Sequence, residues 1–123
     1  MSVRVRPLFT ENFAANLDSI RVFLGSEGRS AFRRLINRLF QELVPTLCRF
    51  PQSGRPFVDH AIRSVEAQAL VHRLKALVKK NDDLREFIVD DYVILYLLRQ
   101  NRLIFLAIKH HRQLSFDLKR LWA

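Results

Sequence analysis

The sequence predicts an α+β domain in which an antiparallel β-sheet packs against an N-terminal helical hairpin and one additional helix, with the helices on one face. The sheet is predicted from two apolar runs, residues 87–98 and 103–108, which flank a short polar turn as in a β-hairpin. The helical hairpin is predicted from two N-terminal stretches that repeat apolar side chains at helical spacing. With 123 residues, the chain is expected to form a single domain spanning residues 1–123.

The first expected elements are a strand and a helix. Apolar residues alternate with arginines over residues 3–8, and this strand is expected to end at Pro7 or soon after it. Thr10 is suited to be the N-cap of the first helix, and Gly25 is suited to end it. The apolar face of this helix consists of Phe13, Leu17, Ile20 and Leu24.

A second helix is predicted over residues 30–48, and a short Gly-containing turn makes it antiparallel to the first. Pro45 is expected to bend this helix or to end it early, because proline removes a backbone donor. Cys48 is expected to be a small core residue, since a single cysteine has no internal disulfide partner. The apolar face of this helix consists of Phe32, Leu35, Ile36, Leu39, Phe40 and Leu43.

Three further segments are predicted from composition and spacing. Residues 50–57 are typical of a turn-rich loop, and residues 62–78 of an amphipathic helix. The two predicted strands follow that helix. Residues 113–122 are expected to form either a strand extension or a single helical turn, docked on the domain by apolar side chains.

The charge balance favours an acidic or polyanionic partner. The chain has 21 Lys and Arg residues against 12 Asp and Glu residues, a formal net charge of +9, and both nucleic acid and an acidic protein suit such a surface. The N-terminus lacks the continuous apolar segment of a signal peptide, and no run approaches the roughly 20 apolar residues of a membrane span. A cytoplasmic protein without a membrane partner is therefore expected.

A basic, titratable cluster is predicted where the last strand of the hairpin ends, at Lys109-His110-His111-Arg112. A strand end holds side chains rigidly, and these residue types suit a phosphate-rich partner. His110 and His111 are expected to point to opposite faces, because side chains alternate along a strand. Arg85, Lys109, His111 and Arg112 are expected to form one basic cluster at an edge of the sheet.

Neither a metal nor another cofactor is expected. The candidate ligands are Cys48 and four histidines, and their positions do not have the spacing of a zinc site. The histidines are His60, His72, His110 and His111.

Four motifs, taken in order, resemble the RelE/ParE superfamily of toxins from type II toxin–antitoxin systems. They are Phe50-Pro51 with Gly54-Arg55-Pro56, then Leu84-Arg85-Glu86-Phe87, then Tyr92-Val93-Ile94-Leu95-Tyr96, and finally Ile108-Lys109-His110-His111-Arg112. The first strand and the helical hairpin fit the same order, so the resemblance spans almost the whole chain. In smaller members the Gly-Arg-Pro loop lies nearer to the Arg-Glu strand, whereas here the intervening segment holds an extra helix.

The resemblance implies a cytoplasmic bacterial growth inhibitor that a cognate antitoxin neutralises by wrapping its surface. Targets divide within the superfamily: ParE-like members poison DNA gyrase, and RelE-like members cut mRNA at the ribosome. The Gly-Arg-Pro loop and the Arg-Glu-Phe strand favour the ParE side, whereas the His-His-Arg strand end favours the RelE side. Gyrase binding is expected first, with ribosome-dependent mRNA cleavage as the alternative.

The nuclease interpretation assigns roles to the basic cluster. His111 would be the general acid or base, Arg85 and Arg112 would bind phosphate, and Lys109 would add a positive charge. In the relatives that use a strand-end histidine a tyrosine follows it, whereas Arg112 follows His111 here. Arg85 has a structural alternative, an ion pair with a nearby carboxylate at Glu86, Asp90 or Asp91.

The binding interpretation needs an interface rather than an acid–base pair. Its candidate anchors are aromatic, aliphatic and cationic residues near the C-terminus, with core packing as the alternative for the apolar ones. They are Phe116, Leu121, Trp122, Lys119 and Arg120. Tyr92 and Tyr96 share a strand face, and packing is favoured there over base stacking. A third interpretation, a basic nucleic-acid-binding module without toxicity, lacks any helix-turn-helix, RNA-recognition or zinc-finger pattern.

Overall fold

The computed structural model describes residues 5–57, 65–113 and 115–122. Within these ranges the chain is an α+β domain, which confirms the predicted fold class. Residues 3–4 of the expected first strand and residues 62–64 of the expected additional helix lie outside the described residues. The elements are β1 (Arg6–Phe9), α1 (Glu11–Leu24), α2 (Arg29–Asn37), a π-helical segment (Arg38–Leu43), α3 (Val44–Arg49), β2 (Arg55–Pro56), α4 (Val65–Leu77), β3 (Asp83–Val89), β4 (Tyr92–Arg99) and β5 (Arg102–His110), with 3₁₀ turns at Ser26–Gly28 and Lys119–Leu121.

The five strands form one sheet in the order β1-β5-β4-β3-β2. The three central strands pair antiparallel, and the two-residue β2 extends the sheet antiparallel to β3. β1 departs from the expected pattern, since it pairs parallel to β5. A parallel pair needs a long crossover between its strands, and within the described residues every α-helix and every other strand lies between β1 and β5 in the sequence.

The apolar run of residues 87–98 holds parts of two strands, so the prediction of a single strand there is wrong. Asp90 and Asp91 form a tight turn between β3 and β4. Asp90 has a φ of 51°, a left-handed conformation that Asp adopts more readily than most residues. The predicted polar turn before Arg102 is confirmed, and it connects β4 to β5.

Helices cover both faces of the sheet, so the prediction that they share one face is wrong. β4 is buried at every position from 93 to 97, and a strand with this pattern needs cover on both sides. The segment from α1 to α3 covers one side, here called the hairpin face, and packs residues such as Phe13 and Leu39 on it. α4 and the C-terminal segment cover the other side, here called the α4 face, through Leu74 and Leu118.

The ends of α1 agree with the sequence prediction. The Thr10 side chain accepts a hydrogen bond of 3.1 Å from the backbone N–H of Phe13, which confirms it as the N-cap. Gly25 follows the last helical residue with a φ of 67°, a conformation that favours glycine, and it ends the helix as predicted.

The second helix continues through Pro45, so of the two predicted alternatives, a bend or an early end, the early end is wrong. A π-helical segment precedes the proline, and the backbone N–H of Val44 bonds to the carbonyl oxygen of Leu39, five residues earlier. This wider turn allows helical backbone to continue into α3, where Pro45 occupies the first turn. Cys48 packs against the hairpin-face core, which confirms its predicted role.

The C-terminal segment forms a 3₁₀ turn, the second of the two predicted alternatives. Phe116 and Leu118 dock it on the α4 face. No helix within the described ranges is both long enough and apolar enough to cross a membrane.

Candidate functional site

The Gly-Arg-Pro and Arg-Glu motifs are neighbours in space, although an inserted helix separates them in the sequence. β2 pairs with β3 so that Arg55 lies opposite Glu86 and Pro56 lies opposite Arg85. The inserted segment therefore leaves from and returns to the same edge of the sheet. Its helix, α4, covers the α4 face without separating the two motifs.

The loop before β2 is fastened to the centre of the sheet by a buried tyrosine. The hydroxyl of Tyr96 donates a hydrogen bond of 2.8 Å to the carbonyl oxygen of Pro51 and accepts one of 2.9 Å from the N–H of Gly54. A Cβ atom at Gly54 would lie 2.5 Å from this hydroxyl and 2.7 Å from the Glu86 carbonyl oxygen. Glycine is therefore required by this close approach.

Arg85 supports the same loop. Its guanidinium donates hydrogen bonds of 3.1 Å and 2.5 Å to the carbonyl oxygens of Gln52 and Gly54, and one of 2.8 Å to the Asp83 carboxylate. Three acceptors from the protein itself thus surround this guanidinium. The structural alternative foresaw an ion pair for Arg85, but the partner is Asp83 rather than Glu86, Asp90 or Asp91.

A β-bulge decides which face each residue at the end of β5 occupies. Leu95 pairs with Ala107 and Tyr96 pairs with Phe105, so Leu106 has no partner on β4. Leu106 and Ala107 consequently both belong to the α4-face core. Beyond the bulge, Lys109 lies opposite Val93 on the α4 face, and His110 lies on the hairpin face.

The two histidines contact each other, so the prediction that they point into different sites is wrong. β5 ends at His110 and the chain turns, which places the imidazole centroids 4.5 Å apart. Nδ1 of His110 accepts a hydrogen bond of 3.2 Å from the backbone N–H of Arg112. Nδ1 of His111 lies 3.1 Å from the Asp91 carbonyl oxygen, and since a carbonyl only accepts, this nitrogen carries the hydrogen.

The four predicted cluster residues do not meet in one place. Lys109, His111 and Arg112 gather at the end of β5, whereas Arg85 lies on β3. Arg85 pairs with Tyr96, and Lys109 pairs with Val93, three residues along β4. Strand geometry puts their Cα atoms about 14 Å apart, and their side chains lie on opposite faces of the sheet.

A second charged group was not foreseen from the sequence. The Glu86 side chain is only 11% exposed, and its carboxylate receives a 2.7 Å bond from Nε of Arg55. Lys109 lies on the same α4 face. Burial lowers the pKa of Lys109 below its ordinary value, and the negative charge of Glu86 opposes this shift. Glu86, Arg55 and Lys109 thus bring a shielded carboxylate and two cations to one face.

The sequence offered one indication of this group. In Leu84-Arg85-Glu86-Phe87 the partly buried apolar residue Leu84 shares a face with Glu86, so the alternation of side chains along the strand could have identified the buried charge. The position of Lys109 could not be predicted, because it depends on the bulge.

The apolar anchors predicted near the C-terminus pack on the domain. Phe116 is only 8% exposed, and Nζ of Lys109 lies 5.5 Å from its ring centroid. Leu121 and Trp122 are partly buried, and the Arg73 guanidinium lies 4.0 Å above the Trp122 ring. Core packing, the alternative considered for these residues, therefore describes the apolar ones.

The cationic members of that set remain accessible. Lys119 and Arg120 are exposed and line a groove of about 580 Å³ between α1 and the C-terminal segment. Among the described residues, no group of three His, Cys, Asp or Glu side chains has a metal-binding arrangement; His60 lies outside those residues.

Two buried asparagines of α1 hold the end of β5 and the C-terminal segment together. The Asn12 amide donates to the carbonyl oxygens of Leu106 (2.9 Å) and Asp117 (2.8 Å). The Asn16 side-chain oxygen accepts a 3.0 Å bond from the N–H of Ile108. These side chains bond to the part of β5 that extends beyond β1, and so they position the basic strand end.

A family model described as ParE toxin of type II toxin-antitoxin system, parDE, matches residues 8–115, which is most of the chain. No curated protein matches the sequence.

Proposed function

Because the chain belongs to the ParE toxin family of type II toxin–antitoxin systems, we propose that it arrests bacterial growth by binding and poisoning DNA gyrase in the cytoplasm. Membership of such a system implies a cognate antitoxin as partner, and we propose that this antitoxin neutralises the toxin by covering its surface. The formal net charge of +9 favours acidic segments in both partners.

The observation that carries the gyrase proposal is the environment of Arg85. RNA cleavage through the predicted cluster needs Arg85 beside His111 and Lys109, so that cations and an acid–base group surround one phosphate. Arg85 instead hydrogen-bonds to the loop before β2 and lies on the opposite face from Lys109. A toxin that acts by binding needs no such constellation, and this arrangement therefore supports the binding mechanism.

Ribosome-dependent RNA cleavage remains a second candidate because of the group on the α4 face. The Glu86 carboxylate would act as the general base, and Arg55 and Lys109 would stabilise the charge that develops on the phosphate. The short Arg55–Glu86 contact and the shielding of the carboxylate favour this assignment over one based on Arg85.

The first test is a brief induction of the chain in bacteria that lack the antitoxin, with thymidine and methionine incorporation followed in parallel. Early loss of thymidine incorporation, with protein synthesis continuing, is the result expected for a gyrase poison. Early loss of methionine incorporation, with DNA synthesis continuing, would contradict the gyrase proposal and favour the RNA-cleavage candidate. If growth is unaffected, both are wrong.

Variants separate the mechanisms further. His111→Ala and Glu86→Gln are each expected to keep growth arrest if the toxin acts by binding, since neither removes an interface. Loss of arrest in folded Glu86→Gln, with His111→Ala still active, would indicate catalysis on the α4 face. Circular dichroism of each purified variant provides the folding control.

A further inference from the structure

The tip of the helical hairpin exposes apolar side chains that the domain does not use for its own packing. Phe23 is 86% exposed and Val22 is 64% exposed, and both lie in the last turn of α1. Elsewhere on this helix Phe13 and Ile20 are buried in the hairpin-face core. Adjacent, highly exposed apolar side chains on a regular helix are typical of an interaction surface when charged residues surround them.

Arginines at the start of α2 follow this pair along the chain. Arg29, Arg33 and Arg34 lie in the first two turns of α2, which follows α1 after a short connection and runs back along it. All three are exposed, and among the described residues none of them has an ion-pair partner. Arg38, one turn further along, differs because it pairs with Glu42 and Asp90.

We propose that this hairpin tip, defined as Val22, Phe23, Arg29, Arg33 and Arg34, is the surface through which the toxin binds its protein target. The inference rests on the proposed function, because it names the contact surface of a toxin that acts by binding. The complementary surface on the target is an apolar depression bordered by carboxylates. It would bury Phe23 and pair with the arginines.

Residue chemistry favours a protein over a nucleic acid as the partner of the tip. A duplex backbone would pair with the arginines but would leave Val22 and Phe23 exposed to water. A protein interface can satisfy both groups, because binding hot spots combine a buried aromatic residue with arginine. Arg21 and Asp18 of α1 neutralise each other in an ion pair, and the exposed Glu27 in the connection offsets only one of the three positive charges at the start of α2.

The test uses two variants of the tip and a matched control. Val22→Ser combined with Phe23→Ser removes the apolar pair, and Arg29→Glu combined with Arg33→Glu reverses the charge. Leu77→Ser, at an exposed apolar position in the last turn of α4, controls for the loss of surface hydrophobicity. Growth arrest without antitoxin and inhibition of supercoiling by purified DNA gyrase are measured for each, together with the melting temperature.

Both tip variants are expected to keep the wild-type melting temperature, because they alter exposed side chains. We expect each to need more than about tenfold higher concentration for inhibition, as for the loss of a hot spot, while Leu77→Ser behaves like the wild type. Undiminished growth arrest by folded Val22→Ser, Phe23→Ser protein would overturn the inference. So would a loss confined to the charge variant and accompanied by weaker binding to a DNA duplex, which would indicate a nucleic-acid surface.

The two proposals fail in different ways. If the wild-type protein arrests growth but leaves purified gyrase unaffected, the gyrase proposal is wrong, and the growth comparison still decides the role of the tip. If the wild type inhibits gyrase and the tip variants inhibit it equally, only the inference about the tip is wrong.

Discussion

Tyr96 connects the loop before β2 to the interior of the sheet through one hydroxyl group. The side chain is fully buried, which agrees with the packing role predicted for it. Its hydroxyl nevertheless makes two hydrogen bonds: it donates one to the carbonyl oxygen of Pro51 and accepts one from the N–H of Gly54. Burial raises the pKa of this phenol above its ordinary value, so the hydroxyl keeps its proton at neutral pH. One polar atom within an apolar core thus holds the loop from the inside, while Arg85 holds it through Gln52 and Gly54.

Replacing Tyr96 with Phe tests the contribution of this hydroxyl. The variant leaves the Gly54 N–H and the Pro51 carbonyl without their partner, and we expect unfolding to cost about 1–3 kcal/mol less than in the wild type. Tyr92→Phe is the matched control, because among the described residues the Tyr92 hydroxyl has no hydrogen-bond partner. Chemical denaturation of the three proteins gives the comparison, and equal stabilities would show that the hydroxyl contributes nothing.

The ion pair between Asp82 and Arg99 makes the stability of the protein depend on pH. The Asp82 side chain is 4% exposed and lies 2.7 Å from the Arg99 guanidinium. Hydrogen bonding to that guanidinium holds the pKa of Asp82 below its ordinary value of 3.8. A depressed carboxyl pKa stabilises the fold above the unfolded-state value, and this contribution is lost as the pH falls through the folded-state value.

We therefore expect Asp82→Asn to be less stable than the wild type by about 2 kcal/mol at neutral pH. This difference in stability between the variant and the wild type should become smaller as the pH falls below about 4. Asp18→Asn, which breaks an exposed pair with Arg21, should change stability little at any pH. Denaturation at several pH values checks the prediction. A difference of constant size would mean that the charge of Asp82 does not cause the effect.

At the scale of elements, helices were more predictable from the sequence than the faces of the strands. Thr10 and Gly25 define α1 by local chemistry, and local chemistry can be read from a sequence. The bulge at Leu106 leaves no such trace, because it is a property of the register between β4 and β5. The face of Lys109 depends on that bulge. The sequence therefore does not predict that Glu86 and Lys109 lie on the same face of the sheet, although both residues stand in motifs that it contains.

The contact of α1 with β5 also cannot be predicted from the spacing of apolar residues, because polar side chains of α1 make it. Asn12 is buried and hydrogen-bonds to Leu106, Asp117 and Arg120. Asn12→Ala would leave these backbone groups without partners and loosen the C-terminal segment. We expect the free energy of unfolding of Asn12→Ala to be lower than that of the wild type by about 2–4 kcal/mol.

Ser19→Ala, at an exposed position of the same helix, is the control for Asn12→Ala and should match the wild type. Hydrogen exchange of the backbone amides locates the effect. Protection should fall first at residues 117–121, and a uniform decrease across the domain would contradict a specific role for Asn12 in holding that segment.

At the scale of the whole molecule, the positive charge should control how quickly the toxin meets an acidic partner. If gyrase is the target, as proposed, the association rate with the purified enzyme is expected to fall at least severalfold as salt rises from 50 to 200 mM. The dissociation rate should change less. Surface plasmon resonance gives both rates, and the Arg29→Glu, Arg33→Glu protein should show a shallower dependence. An association rate independent of salt would exclude electrostatic steering.

Each of the two outer strands of the sheet contains an Arg-Pro pair, and this sequence affects solubility. β1 contains Arg6-Pro7 and β2 consists of Arg55-Pro56, so each margin of the sheet presents a proline without an N–H and a charged neighbour. Such residues discourage a second chain from continuing a sheet by hydrogen bonding. Two of the strands between them, β4 and β5, are among the most apolar parts of the molecule. Their tendency to aggregate is therefore restrained at both margins by the same two-residue sequence.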